Sequence, residues 1–202
     1  HETESNIRMN TEIEVKFIQV DHDAIRSQLR ELGGTCTYLM RLMRRVVFVN
    51  EALESRHGWL RVRDEGDRVT VSYKQRDSLD IHGTKEIETV VEDFDAITQI
   101  IRQLGNWKES YQESKRETWH VGEVEVVLDE WPWLDPIIEI EGPTAELVEA
   151  VAIELGFDMK DALYGSVMSA YRKQYPDADH RFKIGNIPSV KFDDPMPPEL
   201  AV

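Results

Sequence analysis

Residues 12–16 of the chain read Glu12-Ile13-Glu14-Val15-Lys16. Successive side chains of a β-strand point to opposite faces, so in a strand the two glutamates and the lysine would share one face. Two carboxylates about 7 Å apart with an ammonium group beside them form a poor hydrophobic core. They suit a site that binds a divalent metal ion and an anion. The alternative is a solvated strand face with a local ion pair, which the pentapeptide alone leaves open.

The Glu-Ile-Glu pattern occurs three times, at residues 12–14, 86–88 and 139–141. Each copy is followed by a short amphipathic segment that ends in Leu-Gly, at residues 21–33, 93–105 and 144–156. Asp21, Asp93 and Thr144 are favourable residues at a helix amino terminus, and glycine is a favourable residue just after a helix. The repeat therefore predicts three units in which an acidic strand is followed by a helix.

Alternating side chains predict the remaining strands, which lie at residues 38–49, 58–63, 68–76, 110–121 and 123–128. Together with strands near Glu12, Thr84 and Pro136, the total is about eight. Both faces of these strands carry patterned residues, which favours a closed barrel over a sandwich. The expected fold class is α+β: an eight-stranded antiparallel β-barrel, or tunnel, with helices packed outside. Residues 160–175 predict a fourth helix.

The chain is interpreted as one tunnel domain over residues 11–175. Residues 1–10 are polar and unpatterned, and we interpret them as a tag remnant or a disordered amino terminus. Residues 176–202 contain several prolines and predict an extended carboxy-terminal tail.

Composition narrows the class of partner. The net charge of −15 argues against a broad basic face for nucleic acid or anionic membranes. No apolar run reaches the length of a membrane span, and the single cysteine cannot form an internal disulfide. We therefore expect a cytoplasmic protein with neither nucleic acid nor membrane as partner. Residues 41–85 hold ten basic and seven acidic side chains, so this segment could receive a small polyanion.

The charges of individual strands are segregated. Arg61 and Arg63 share one face, and a guanidinium presents a planar fork that matches phosphate oxygens. Lys74 shares its face with polar residues, whereas Glu139 and Glu141 form a purely acidic face. Solvated strand exteriors would explain any one of these features, but acidic strands beside basic strands are harder to explain in that way.

These charged motifs occur in an order that resembles the CYTH superfamily. The matching motifs are Glu12-x-Glu14-x-Lys16, Leu60-Arg61-Val62-Arg63, Tyr73-Lys74, Lys115-Arg116, Leu128-Asp129-Glu130 and Glu139-Ile140-Glu141-Gly142. The superfamily comprises the triphosphate tunnel metalloenzymes, among them class IV adenylyl cyclases, thiamine triphosphatases and inorganic triphosphatases. The resemblance covers about residues 11–171 and implies an eight-stranded tunnel that binds a triphosphate with Mg²⁺ or Mn²⁺.

The resemblance also implies roles for individual residues. The implied metal ligands are Glu12, Glu14, Asp129, Glu139 and Glu141. The implied triphosphate-binding residues are Lys16, Arg61, Arg63, Lys74 and Arg116. Lys16, Asp129 and Glu88 are the implied catalytic residues, and a carboxy-terminal lysine near the substrate corresponds to either Lys160 or Lys173. The chain departs from the superfamily pattern at residues 46–49 and 131–136, which leaves substrate specificity open.

The function favoured by these residues is metal-dependent hydrolysis of inorganic or nucleoside triphosphate, with a small-molecule triphosphate as partner. One alternative is cyclisation of ATP to cyclic AMP and pyrophosphate. The other is a polyphosphate- or nucleotide-binding module without turnover. The sequence leaves open whether the chain forms a homodimer.

Overall fold

The computed structural model describes residues 9–201. Most of the segment interpreted as a tag remnant or disordered terminus, residues 1–8, lies outside the described residues. The strands are β1 (Asn10–Glu12), β2 (Glu14–Ile18), β3 (Thr35–Val49), β4 (Gly58–Asp64), β5 (Val69–Arg76), β6 (Thr84–Val91), β7 (Lys108–Val121), β8 (Val124–Glu130), β9 (Ile137–Glu141) and β10 (Ser189–Val190). The helices are α1 (His22–Glu31), α2 (Glu51–Glu54), α3 (Phe94–Gln103), α4 (Ala145–Glu154) and α5 (Met168–Gln174), and residues Met159–Asp161 and Ile184–Asn186 form 3₁₀ turns.

The strands form one sheet in the order β1-β6-β5-β4-β3-β7-β8-β9-β2. Only Ile13 separates β1 from β2, so the sheet curls into a nearly closed antiparallel barrel, and the predicted fold class is confirmed. The count is nine antiparallel strands instead of eight because the first predicted strand is interrupted at Ile13. Its two halves pair with different neighbours: Glu12 lies opposite Thr84 of β6, and Glu14 lies opposite Glu141 of β9.

The three predicted strand-helix units are present, and their helices begin at the expected caps. The side chains of Asp21, Asp93 and Thr144 each accept a hydrogen bond from a backbone N–H in the first helical turn. These bonds satisfy donors that have no partner within the helix.

The single helix predicted over residues 160–175 is wrong. The chain instead forms a 3₁₀ turn, an extended segment at Leu163 and the short helix α5. Leu163 exchanges two backbone hydrogen bonds of 2.9 Å with Lys16, and Gly165 has a φ of +83°. Pairing with β2 therefore competes with helix formation, and the left-handed glycine turns the chain toward α5.

Apolar side chains cover the outside of the barrel. Helices α1 and α4 pack on the outer faces of β2, β8 and β9 through Ile25 and Leu29 of α1 and Val148 and Ala152 of α4. A second cluster joins Phe94 and Ile101 of α3 to the outer face of β3 and β4. Because side chains alternate along a strand and these apolar ones point outward, the alternate residues of the same strands face the lumen. No helix among residues 9–201 is long and apolar enough to cross a membrane.

The segment predicted as an extended tail packs on the barrel. Phe182, Ile184, Val190 and Leu200 are buried in a cluster with Tyr171 of α5. Strand β10 pairs in parallel with β7, and the backbone N–H of Tyr111 donates to Pro188 at 3.0 Å. Much of this segment lacks regular structure, but its spaced apolar residues make it part of the folded unit.

Candidate active site in the barrel lumen

The barrel encloses a cavity of about 510 Å³, which is within the range of about 300–1,000 Å³ found for small-molecule sites. Eleven residues predicted from the sequence line it: Glu12, Glu14, Lys16, Arg61, Arg63, Lys74, Glu88, Arg116, Asp129, Glu139 and Glu141. They lie on β1, β2 and each strand from β4 to β9. Strand alternation turns each of these side chains inward. The roles implied for them remain predictions.

Neither Lys160 nor Lys173 belongs to the cavity lining, and both are exposed. Arg172 and Lys183 line the cavity instead. Arg172 donates to the backbone carbonyl of Phe182 at 3.2 Å, so this cation is tied to the carboxy-terminal segment. Lys183 could not be chosen from the sequence, because its position depends on how residues 176–201 pack.

Three carboxylates meet at the junction of β2 and β9. One carboxylate oxygen from each of Glu14, Glu139 and Glu141 lies within 4.8 Å of the others. The antiparallel register places Glu14 opposite Glu141 and Lys16 opposite Glu139. The Lys16 ammonium donates to Glu14 at 2.7 Å and lies 3.1 Å from Glu139. Hard oxygen ligands of this kind match Mg²⁺ or Mn²⁺, so the donor set fits the implied metal.

The carboxylates of this cluster differ in proton affinity. Burial raises the pKa of Glu141 to about 8, and the charges of Glu139 and Glu14 act in the same direction. Burial also raises the pKa of Glu14 to about 7, although Lys16 opposes the increase. Burial favours the neutral form of Glu139 too, but Lys16 and Arg116 outweigh it and hold the pKa of Glu139 well below its usual range. The cluster thus holds more carboxylate than its neighbouring cations neutralise.

We expect the metal-free protein to lose stability as the pH rises from about 4.5 to about 8. Across this window the folded protein binds the protons of Glu14 and Glu141 more tightly than the unfolded chain does, so raising the pH favours unfolding. Thermal unfolding in a metal chelator at several pH values measures the effect. Glu141→Gln should flatten the pH dependence, whereas Glu149→Gln, on the exposed face of α4, should leave it unchanged. A melting temperature that rises through this window contradicts the prediction.

The remaining predicted ligands contact cations. The Lys74 ammonium donates to Glu12 at 2.8 Å. Arg116 donates two hydrogen bonds to Asp129, at 2.7 and 2.6 Å. Glu12 and Asp129 therefore lie in the lumen but outside the three-carboxylate cluster. Their predicted role as metal ligands requires these cations to change partner.

The arginines of β4 contact the middle Glu-Ile-Glu copy. Arg61 lies 3.2 Å from Glu86 and 3.3 Å from Glu88, and Arg63 lies 3.9 Å from Glu88. Arg63 also contacts Glu65 at 2.5 Å. The glutamates of the middle copy thus form ion pairs with arginines. The first and third copies supply the three-carboxylate cluster. Each guanidinium has five N–H donors, so these contacts orient it and leave donors for a ligand.

Sequence reasoning missed several residues that line the cavity, among them Arg45, Glu86, Gln112 and Trp131. Arg45 shares its strand face with Val47 and Val49, which also line the cavity, but both faces of residues 44–49 carry apolar residues, so alternation alone does not indicate which face turns inward. Adjacent Arg44 points outward and donates to Asp64 at 2.9 Å. The departure from the superfamily pattern at residues 46–49 therefore places two valines, Val47 and Val49, in the cavity lining together with Trp59.

The CYTH domain model matches residues 10–167 of the chain. No curated protein matches it. Among solved structures, the PH1012 protein of Pyrococcus horikoshii OT3 is similar with 21% identity and a TM-score of 0.66, covering 79% of this chain and 98% of its own. A candidate adenylate cyclase of Vibrio parahaemolyticus is similar with 14% identity and a TM-score of 0.68, covering 81% of this chain and 98% of its own.

A third similar structure is HpAC1 of Hippeastrum, a candidate adenylyl cyclase described as having a dominant triphosphatase activity. It shares 20% identity with a TM-score of 0.54 and covers 81% of this chain and 96% of its own. At these identities the solved structures support the fold. The carboxy-terminal residues 168–201 lie beyond the matched domain, although some of them line the lumen.

Proposed function

The chain belongs to the CYTH domain family, and from that premise we propose that it is a metal-dependent triphosphatase that hydrolyses inorganic or nucleoside triphosphate inside the barrel. The observation that carries the proposal is a cluster of three carboxylates with cations beside it in one lumen. Three carboxylates meet at Glu14, Glu139 and Glu141, and Lys16 and Arg116 both reach Glu139, at 3.1 and 3.7 Å. A metal-bound polyphosphate matches this arrangement, because carboxylates bind the metal ion and the cations bind phosphoryl oxygens.

The cations are suited to hold a polyphosphate. Lys16, Lys74, Arg61, Arg63 and Arg116 all line one cavity and are largely shielded from solvent. Electrostatic attraction is stronger in such a site than in water, and phosphoryl transfer depends mainly on positioning and on charge stabilisation. In the free protein these side chains are held by glutamates and Asp129, so substrate oxygens would replace some of these carboxylate contacts.

Glu14, Glu139 and Glu141 would hold the metal ion. When bound, a divalent ion supplies charge neutralisation on phosphoryl oxygens. Lys16 lies between Glu14 and Glu139 and keeps both oriented. Asp129 is 2% exposed and fixes the Arg116 guanidinium through two bonds, which suits it to position this cation or a water molecule beside the phosphoryl group.

The proposal is tested by incubating the protein with tripolyphosphate and with ATP, each with Mg²⁺, with Mn²⁺ or with a chelator. We expect orthophosphate to be released from at least one substrate only when a divalent ion is present. Formation of cyclic AMP and pyrophosphate from ATP would instead support the cyclase. Binding of both compounds without any product would support a binding module and contradict the enzyme.

A further inference from the structure

Arg45 occupies a central place in the lumen. It lies on β3 between Arg63 of β4 and Gln112 of β7, which are its partners in the sheet register. Its side chain lines the cavity, and the residue is only 6% exposed. The sequence motifs that indicate phosphate binding do not include it. Its position makes it a candidate for a role that Arg61, Arg63 and Arg116 do not fill.

Arg45 differs from the other deeply buried lumen cation, Lys16, in its contacts. Lys16 is 4% exposed and has carboxylates at 2.7 and 3.1 Å. None of the ion pairs formed within residues 9–201 includes Arg45, and its Nε atom has no hydrogen-bond partner there. Leaving a buried guanidinium without a carboxylate is costly.

The contacts that Arg45 does make fix its position without neutralising it. Its Nη2 atom donates to the hydroxyl of Ser114, and its guanidinium stacks over the ring of Trp131 at 4.4 Å. On the β7 side its neighbours, Gln112 and Ser114, are neutral and buried. The side chain is therefore held in place while most of its five donors have no hydrogen-bond partner among residues 9–201.

The surroundings of Arg45 also favour an anion. Burial, followed by the charges of Arg63, Arg61 and Arg116, lowers the pKa of Arg45 well below its usual value. Burial and neighbouring arginines likewise lower the pKa of Arg63 to about 10. An oxyanion between these guanidinium groups would relieve both the repulsion and the lack of partners.

We propose that Arg45 forms an additional oxyanion subsite that holds one phosphoryl group of the substrate beside Arg61 and Arg63. The proposal rests on the triphosphate chemistry proposed above and adds a residue that the charged sequence motifs do not supply. The ligand class is a polyphosphate, because adjacent guanidinium groups bind oxygens of neighbouring phosphoryl groups and the carboxylate cluster binds the associated metal ion. The same chemistry is available in inorganic triphosphate and in nucleoside triphosphates.

The test compares Arg45→Met with Arg44→Met in the full chain. Arg44 is the adjacent residue on β3, and its side chain lies outside the barrel against Asp64 and Phe94. Affinity for tripolyphosphate is measured by calorimetry in the presence of a chelator, and thermal unfolding is measured without ligand. Binding is measured without metal, so it does not depend on turnover.

We expect Arg45→Met to weaken tripolyphosphate binding by about 10- to 100-fold, the usual effect of losing hydrogen bonds to a charged group. Its ligand-free melting temperature should equal or exceed that of the parent, because an unpaired buried charge has been replaced by an apolar chain of similar length. Arg44→Met should bind as the parent does.

The proposal is overturned if the parent does not bind tripolyphosphate, if Arg45→Met loses less than about tenfold, or if Arg44→Met loses as much. A lower melting temperature or unfolding of Arg45→Met also overturns it, since Arg45 would then be structural. A parent that binds tripolyphosphate but hydrolyses nothing contradicts only the proposed triphosphatase, because the binding comparison can still be made.

A parallel titration with ATP identifies the source of the phosphoryl group. Equal losses for ATP and tripolyphosphate support a subsite for a phosphoryl group that both compounds present in the same form. A loss confined to tripolyphosphate supports a subsite for a terminal phosphoryl group at the end where ATP instead carries the α-phosphoryl group, which is esterified to the ribose. Loss of ATP binding alone overturns the proposal, because the contact would then require the nucleoside.

Discussion

Glu14→Gln is expected to reduce turnover by about 10²–10³-fold, a typical effect of removing one well-placed electrostatic group. Glu14 is one of the three carboxylates that lie within 4.8 Å of one another, and the substitution removes its charge with almost no change of shape. The fold should survive, because burial and the charge of Glu139 already disfavour the ionised form of Glu14 and raise its pKa to about 7. Steady-state phosphate release measures turnover, and calorimetry measures Mn²⁺ affinity, which should fall as well.

The matched control for this change is Glu149→Gln. Glu149 lies on the exposed face of α4, away from the lumen, and its replacement should leave turnover and Mn²⁺ affinity unchanged. Near-parental turnover in Glu14→Gln would show that the carboxylate cluster does not hold the catalytic metal. Loss of turnover with unaltered Mn²⁺ affinity would instead indicate that Glu14 acts on the substrate and does not bind the metal ion.

Arg116→Met is expected to destabilise the ligand-free protein by about 3–5 kcal/mol, the usual cost of removing one partner of a buried ion pair. Asp129 is 2% exposed, and both of its oxygens accept hydrogen bonds from Arg116. The substitution leaves this carboxylate buried without either bond. For a chain of this size the loss corresponds to a melting temperature lower by roughly 10 °C. Relief of repulsion with Arg45 and Arg63 should place the result near the smaller value.

The control is the double variant Arg116→Met with Asp129→Leu. When both partners of a buried pair become apolar, little or no penalty remains. We therefore expect the double variant to recover most of the lost stability in thermal unfolding, although it should remain inactive. If Arg116→Met alone unfolds at the parent temperature, or if the double variant is no more stable than the single one, the pair does not contribute as described.

The strand-helix repeat shows how far local sequence determines this fold. Each cap at Asp21, Asp93 and Thr144 acts on the first turn of its own helix, so neighbouring residues suffice to predict it. The alternation of Glu14 and Lys16 with Val15 likewise predicts which side chains share a face. Helix 160–175 was mispredicted because a contact distant in sequence, between Leu163 and Lys16, replaces helical hydrogen bonds.

The lumen shows where local reasoning stops. The sequence identified acidic and basic faces, but it could not specify that Glu14 and Glu141 would meet while Asp129 would be held by Arg116. Those partners depend on the register of β2 with β9 and of β7 with β8, and a shift by one residue would turn the opposite face inward. Arg45 was missed for the same reason, because its burial beside Arg63 requires the pairing of β3 with β4.

The sequence by itself determined the in-and-out alternation of the strands, the helix caps and the kinds of charge inside the barrel. These properties depend on residues within a few positions of one another, where backbone geometry fixes the direction of each side chain. Only the tertiary structure decided which charges pair, where the first strand breaks and which of residues 176–201 line the lumen. Those outcomes depend on contacts between segments far apart in the chain, whose pairing is selected by packing and by strand register together.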